Sequence, residues 1–373
     1  LVLKSISKQP ERKNGLPQKV FVAMSGGVDS SVAALILKAQ GYDVTGITMQ
    51  IWPLENAQNK TCCGLDAIGD AQRVAWELDI PHYVMNFRDD FTSRVVDYFC
   101  KEYIKGRTPN PCIACNRYIK FHSLLGKARA MGADYIATGH YARIVFNEDS
   151  QKYELLRAVD RKKDQSYALY SMTQEQLQHT LFPLGGLNKE EVRNIARQAG
   201  LPVAEKAESQ EICFIEKGHY ADFVGEFLGF SPPAGDFIDK DGCILGRHRG
   251  IHYYTIGQRK GLGLALGRPL FVNRLDPENN TVRVGELPDL MKKRLLADNV
   301  NYISGDAPDG EIQTTVKVRY SAPDKPAVLM PQGPERVAIH FKTLQKAITP
   351  GQAVVFYQAE RILGGGTIHS VLE

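Results

Sequence analysis

The stretch Ser25-Gly26-Gly27-Val28-Asp29-Ser30-Ser31 joins two segments of opposite character. Before it, Lys19 to Met24 carries Val20, Phe21, Val22 and Ala23 in a row, the mark of a strand buried on both faces. After it, Ser31 to Gln40 sets Val32, Leu35 and Ile36 on one helical stripe, and Gly41 stands where a helix C-terminus favours glycine. Gly26 and Gly27 allow a tight turn between the two, so that backbone amides converge on an anion at a helix N-terminus. Ser25, Ser30 and Ser31 add hydroxyl donors, and Asp29 can approach a magnesium ion that bridges phosphates. The common ATPase pattern, Gly-x-x-x-x-Gly-Lys-Ser/Thr, does not stand here.

Outward from the loop, strand and helix keep alternating. Asp43 to Met49 and Pro81 to Phe87 read as strands, with a helix over Ala67 to Leu78 between them. Helices are expected over Asp89 to Lys105 and Arg117 to Met131, and a fourth strand over Tyr135 to Thr138 ends in Gly139-His140. This order predicts an α/β fold with a doubly wound parallel sheet. Ligands of such sheets lie beyond the carboxyl ends of strands, where Ser25, Met49 and Gly139 fall. After a helix near Asn188 to Ala199, the text turns glycine-rich and strand-like from about Phe214. Val316, Val318 and Tyr320 alternate with Lys317 and Arg319, and Val337, Ile339 and Phe341 repeat the pattern, which predicts a small antiparallel barrel. The expected layout is a disordered leader over 1–17, a catalytic domain over 18–213, a small middle domain over 214–285 and a C-terminal β-barrel over 286–373.

The 373 residues suit two or three domains at roughly 150 residues each. Hydrophobic residues at 43% and charged residues at 24% are those of an ordinary globular protein. No apolar run reaches the ~18 residues of a membrane span, so no membrane association is expected. Leu1 to Pro17 carries Lys4, Lys8, Arg12 and Lys13 without an apolar core, so it reads as a leader or transit remnant and not as a secretory signal. Seven cysteines without such a signal point to a reducing compartment, the cytoplasm.

Cys112 and Cys115 form a C-x-x-C pair behind Arg107-Thr108-Pro109-Asn110-Pro111, and a helix is expected to begin near Arg117. Cys115 would then lie near a helix N-terminus, where the dipole favours thiolate. The pair alone is ambiguous among zinc, redox chemistry, iron–sulfur ligation and no role at all; no second pair at zinc spacing follows, which argues against structural zinc. Cys100 and Cys213 read by themselves as core cysteines, and Cys62-Cys63 and Cys243 carry no readable role. The net charge of +4 decides little, but Gly242 to Leu275 contains no Asp or Glu. It carries Arg247, Arg249, Arg259, Lys260, Arg268 and Arg274 among His248, His252, Tyr253 and Tyr254. Charge of one sign interleaved with rings fits a nucleic-acid backbone and stacked bases.

Ser25–Ser31 resembles the loop of the ATP-pyrophosphatase superfamily, whose members cleave between the α and β phosphates and leave an adenylated intermediate. Further stretches resemble, in the right order, the tRNA-specific 2-thiouridylase family. They are Gly106–Asn116 with Ile119-Lys120-Phe121, Ala137–Arg143, Lys163–Tyr167, Glu211–Ile215 and Tyr254–Gly263, so the likeness runs from about Lys19 to the C-terminus. It implies that ATP adenylates O2 of the wobble uridine of tRNA, and that sulfur then enters at C2 with release of AMP, giving 2-thiouridine. By the same likeness Cys115 is the nucleophile or disulfide partner and Cys213 the persulfide carrier. ATP would lie along Ala23, Met24, Ser25, Gly26, Gly27, Val28, Asp29, Ser30, Met49 and Gly139, and the target base against Asn110, Pro111 and Cys112. His140, Lys163, Asp164, Gln165, Arg319, Tyr320 and Gln352 would contact tRNA. ATP and Mg2+ are the implied cofactors, tRNAs for Lys, Glu and Gln the substrates, and a cysteine desulfurase, with or without relay proteins, the sulfur source.

Two departures stand out, because many members carry Asp at Cys112 and Gly at Glu211. The first opens an alternative in which Cys112, Cys115 and Cys213 ligate a [4Fe–4S] cluster whose open iron binds hydrosulfide. Outside thiolation, a small-molecule amide ligase of the same superfamily shares the loop but has no use for Cys115 and Cys213. A tRNA-binding protein with a degenerate loop conflicts with intact Ser25, Asp29 and Ser30.

Overall fold

The computed structural model describes residues 16–52, 65–207, 212–215 and 219–372. Most of the expected leader, the Cys62-Cys63 pair and Glu211 lie outside the described residues. The chain divides into two compact units, one of Leu1–Val95, Cys112–Glu216 and Glu360–Ile362, the other of Val96–Pro111, Lys217–Ala359 and Leu363–Glu373.

The first unit is built on β1 (Lys19–Ala23), α1 (Val28–Ala39), β2 (Asp43–Gln50), α2 (Leu65–Glu77), β3 (His82–Asn86) and β4 (Tyr135–Ala137). With β7 (Thr180–Leu181) the strands form one parallel sheet in the order β3-β2-β1-β4-β7. The central strand β1 buries Val20, Phe21 and Val22 almost completely, because it has a neighbour on each side and no solvent face. Val32, Ile36 and Leu37 of α1 pack with Val192 and Ala196 of the helix Lys189–Gln198. Gly41 closes α1 at φ +90°, its amide donating to the Lys38 carbonyl at 3.0 Å. One antiparallel pair in this unit, β5 (Ala142–Asn147) with β6 (Lys152–Arg157), was not anticipated from the sequence.

The second unit holds two strand assemblies. In one, β8 (Gly235–Ile238), β9 (Ile244–His248), β10 (Phe271–Asp276) and β11 (Thr281–Gly285) pair in the order β10-β11-β8-β9 over a core of Phe237, Tyr254, Val272, Val282 and Val284. In the other, β12 (Met291–Tyr302), β13 (Ile312–Lys317), β14 (Lys325–Pro331), β15 (Arg336–Lys346), β16 (Ala353–Gln358) and β17 (Arg361–Leu372) follow the order β12-β15-β14-β13-β16-β17. Pairing of β12 with β17 closes this barrel, which removes its edges. Val316, Val337, Ile339 and Phe341 fill its interior, as their alternation predicts. Tyr320 departs from that pattern: β13 ends at Lys317, the chain turns, and the Tyr320 ring is 47% exposed. The helix Asp97–Ile104 packs within this unit, its Tyr103 ring 4.5 Å from that of Tyr220.

Candidate nucleotide loop and cysteine site

The turn between β1 and α1 is four residues, Met24 to Gly27. Gly26 takes φ +63°, and a Cβ there would stand 2.3 Å from the Ala67 carbonyl oxygen and 2.9 Å from Asp70 Cβ. Only glycine lets the loop press this closely on α2. The hydroxyls turn inward: Ser30 and Ser31 donate to the Gly27 carbonyl at 3.2 and 2.9 Å, and Ser30 Oγ accepts from the Ser25 amide at 3.2 Å. They hold the loop's shape, while the first amides of α1 form the positive end of the helix. Gly139 approaches from β4, where a Cβ would meet Asp29 C and Ser30 N at 2.8 Å. Met49 lies two residues past Ile47, the β2 partner of Ala23. Ala23 to Ser30, Met49 and Gly139 therefore gather along the carboxyl edge of the sheet.

Four residues that sequence reasoning missed surround this loop. Asp29 receives Lys189 Nζ on both carboxylate oxygens, at 2.7 and 2.8 Å, and the Tyr141 hydroxyl at 2.8 Å. Lys206 donates to the Gly26 carbonyl at 3.0 Å and pairs with Asp70. These contacts lie 112 to 180 residues away along the chain, beyond the reach of any local pattern. Lys189 does leave one trace. It opens a helix whose cap, Asn188 with Glu191, is otherwise acidic and polar as the dipole favours.

The helix after the prolines starts earlier than expected. Pro111–Ala114 is already helical, with Pro111 at its first position, and Cys115–Leu124 continues it as a wider π-helical stretch. Cys112 consequently occupies the first turn and is exposed, whereas Cys115 sits one turn in and is half-buried. Beside it, buried Asn116 donates to the Ala168 carbonyl at 3.0 Å. Cys213 is half-buried too, and its neighbour Phe214 is pinned against Phe91 and Trp52, with ring centres 5.8 and 6.4 Å away. Among the described residues, which include Cys112, Cys115 and Cys213, no three His, Cys, Asp or Glu side chains gather as a metal-ligand set. Cys100 is buried in apolar surroundings near Asp97, and burial first, then that charge, pushes its thiol up to about 12. It is an inert packing residue.

Several expected tRNA contacts serve internal structure. Asp164 accepts from the Ala158 and Ser166 amides at 3.0 and 3.2 Å and from Ser166 Oγ at 2.9 Å. Gln165 pairs through its side chain and its amide with the Tyr141 backbone, both at 2.9 Å. His140 bonds Thr138 at 2.7 Å between the rings of Phe121 and Phe182, and burial, with the Lys120 cation nearby, pushes its imidazole well below the usual range. Arg319 reaches the Ala347 carbonyl, and Gln352 donates to the Thr108 carbonyl at 2.8 Å. Lys163 is half-exposed and Tyr320 exposed.

The acid-free stretch is also partly absorbed. His248, His252 and Tyr254 are buried, so they are core rings and not stacking platforms. Arg247 pairs with Asp236 at 3.1 Å and Arg268 with Glu286 at 2.8 Å. Arg259 to Leu270 curls around a cavity of about 510 Å³.

Residues 18–217 match the family described as the tRNA methyl transferase HUP domain, 221–286 its PRC-barrel domain, and 292–368 the aminomethyltransferase beta-barrel domain. The tRNA-specific 2-thiouridylase MnmA of Clostridium perfringens is 52% identical over 358 residues, spanning 95% of this chain and 99% of that protein. Its counterpart in Moorella thermoacetica is 54% identical over 356 residues, spanning 95% and 100%. That of Carboxydothermus hydrogenoformans is 51% identical over 359 residues, spanning 95% and 98%.

Proposed function

The chain belongs to the tRNA-specific 2-thiouridylase family, and from that premise we propose that it uses ATP to convert a uridine of tRNA to 2-thiouridine. The observation that carries this reading is the pairing, within one unit, of a lysine-free phosphate loop at Ser25–Ser31 with half-buried Cys115 and Cys213. An amide ligase needs the first feature and has no use for the second.

In the proposed reaction the α1 N-terminus and the Gly26 turn hold the triphosphate, and O2 of the wobble uridine takes the adenylyl group as pyrophosphate leaves. Magnesium would accompany the phosphates, with Asp29 the carboxylate at hand; one carboxylate plus phosphate oxygens is a normal set for this ion. Adenylation turns a poor leaving oxygen into a good one. Sulfur then enters from a persulfide on Cys213: the outer sulfur bonds to C2, AMP departs with O2, and Cys115 closes a disulfide with Cys213 that a cellular thiol must reduce. The electrons of two thiols thereby bring the transferred sulfur to the thiocarbonyl level. Asn110, Pro111 and Cys112 would meet the base, and Lys163, Tyr320 and the arginines of the acid-free stretch the tRNA backbone. Lys, Glu and Gln tRNAs, a desulfurase donor and a cytoplasmic setting complete the reading. No helix of the described residues is long and apolar enough to cross a membrane.

The test uses purified protein, ATP, tRNA transcript and a persulfide donor, with thiolated tRNA read by its retardation on a mercury-containing gel. Cys213→Ala should abolish thiolation yet keep tRNA-dependent pyrophosphate release. A Cys213→Ala protein that thiolates at the wild-type rate would overturn the cysteine roles, and a wild type that makes no thiouridine would overturn the activity.

A further inference from the structure

We infer that Lys189 is the cation of the nucleotide site, the group that grips the β and γ phosphates of ATP and steadies pyrophosphate as it leaves. This inference rests on the ATP reading above. A triphosphate carries several negative charges, whereas a helix N-terminus offers only about half a unit of positive charge. Loops of the Gly-Lys-Ser/Thr kind supply the balance with their own lysine, and Ser25–Ser31 contains none. Magnesium offsets part of that charge, and any lysine that offsets more has to come from another part of the chain.

The fold delivers one to the right place. Lys189 Nζ lies 2.7 and 2.8 Å from the two carboxylate oxygens of Asp29, the second residue of α1, so the ammonium stands beside the first turn of that helix. Its side chain is only 13% exposed, held in a protein-lined position and not waving in solvent. The dipole of its own helix works against a cation at that location, and in the structure the Asp29 carboxylate offsets the cost. Lys189 is the first residue of its own helix, where the dipole disfavours cations and where Glu190 and Glu191 follow the usual preference. The Tyr141 hydroxyl donates to Asp29 Oδ1 at 2.8 Å, so Asp29 keeps a partner when Lys189 turns to phosphate. Lys206 differs in place: it stands on the α2 side of the loop, against the Gly26 carbonyl and Asp70, and not beside the first turn of α1.

The discriminating measurement is binding by calorimetry of ATP, inorganic pyrophosphate and AMP to the full-length protein, wild type against Lys189→Gln and Lys189→Arg. Loss of a charge-assisted contact to phosphate should weaken ATP and pyrophosphate by roughly 10- to 100-fold and leave AMP unchanged. Lys189→Arg, which keeps the cation, should recover most of the loss. Repeated in EDTA, where Asp29 has no magnesium to hold, a residue that merely props Asp29 would leave the pyrophosphate affinity of Lys189→Gln equal to that of the wild type, and that result overturns the inference. If Lys189→Gln fails to fold, Lys189→Met, which keeps the length and removes the charge, decides in the same EDTA titration: unchanged pyrophosphate affinity is the refuting outcome, and a loss for pyrophosphate with AMP retained is the supporting one. A wild type that binds neither ATP nor pyrophosphate overturns the ATP reading itself, a result distinct from a wild type that binds both and a Lys189→Gln variant that matches it.

Discussion

Glycine contacts, more than serine hydroxyls, set the shape of the phosphate loop. Gly139→Ala places a Cβ 2.8 Å from the backbone of Asp29 and Ser30, and relief requires α1 or β4 to move. The expected cost is about 2–4 kcal/mol, with loss of ATP binding, both read by thermal melts with and without ATP. Ser31→Ala removes one hydrogen bond to Gly27 and should cost only about 1 kcal/mol. Asp164 gives a sharper contrast. It is buried and accepts three hydrogen bonds, so Asp164→Ala should lower the melting temperature before any effect on tRNA is considered. A variant of native stability that binds tRNA poorly would instead restore a direct contact. Titration also acts residue by residue. Burial holds His82, His140, His248 and His252 below their ordinary values. The unfolded chain then binds more protons than the fold, so stability is full above about pH 6.5 and falls as pH drops below it. His252→Phe, at a site where neither ring nitrogen has a hydrogen-bond partner among the described residues, should flatten that fall between pH 7.5 and 5.5.

Among elements, the segment before the cysteine pair is clamped to the barrel. The Thr108 amide donates to the Pro350 carbonyl at 2.9 Å, Gln352 bonds the Thr108 carbonyl, and Arg107 reaches the Ile368 carbonyl at 3.3 Å. Gly351, at φ +91°, lets the two segments come this near, because a Cβ would stand 2.8 Å from Thr108 N. Gly351→Ala should release the clamp, seen as faster amide exchange at Thr108 and a loss of about 1–3 kcal/mol. The inner parallel strands β1 and β2 were legible in the sequence because burial on both faces leaves a continuous apolar run, whereas β3, at the sheet's edge, keeps Tyr83 and Val84 exposed. The β5–β6 pair was not legible, since Arg143, Lys152, Glu154 and Arg157 break its apolar character and its register comes from the partner strand.

Across the whole molecule, charge behaves differently from its distribution along the chain. Arg247 and Arg268 of the acid-free stretch meet acids contributed from 236 and 286, while the Arg249 guanidinium lies 4.5 Å from the Tyr253 ring centre. Arg259, which has no acidic partner among the described residues, is the better phosphate contact. Arg259→Ala should lower the slope of log affinity for tRNA against log salt by about one, and Arg247→Ala by less, as measured by filter binding across salt concentrations.

The residues of the chain by themselves determined the strand–loop–helix at Ser25–Ser31, the parallel sheet behind it and the barrel near the C-terminus. Each is encoded locally, by apolar period and by glycine. Tertiary structure alone decided which charges face that loop, that the histidines of the basic stretch are core, and that Asp164 and Gln165 bind their own backbone. The charges at the loop depend on partners far away in sequence, as Lys189 does on Asp29, whereas Asp164 binds Ala158 and Ser166 close by, in a turn that apolar period does not report. Periodicity reports how a segment meets its immediate surroundings, and only folding selects the distant side chain that completes a site.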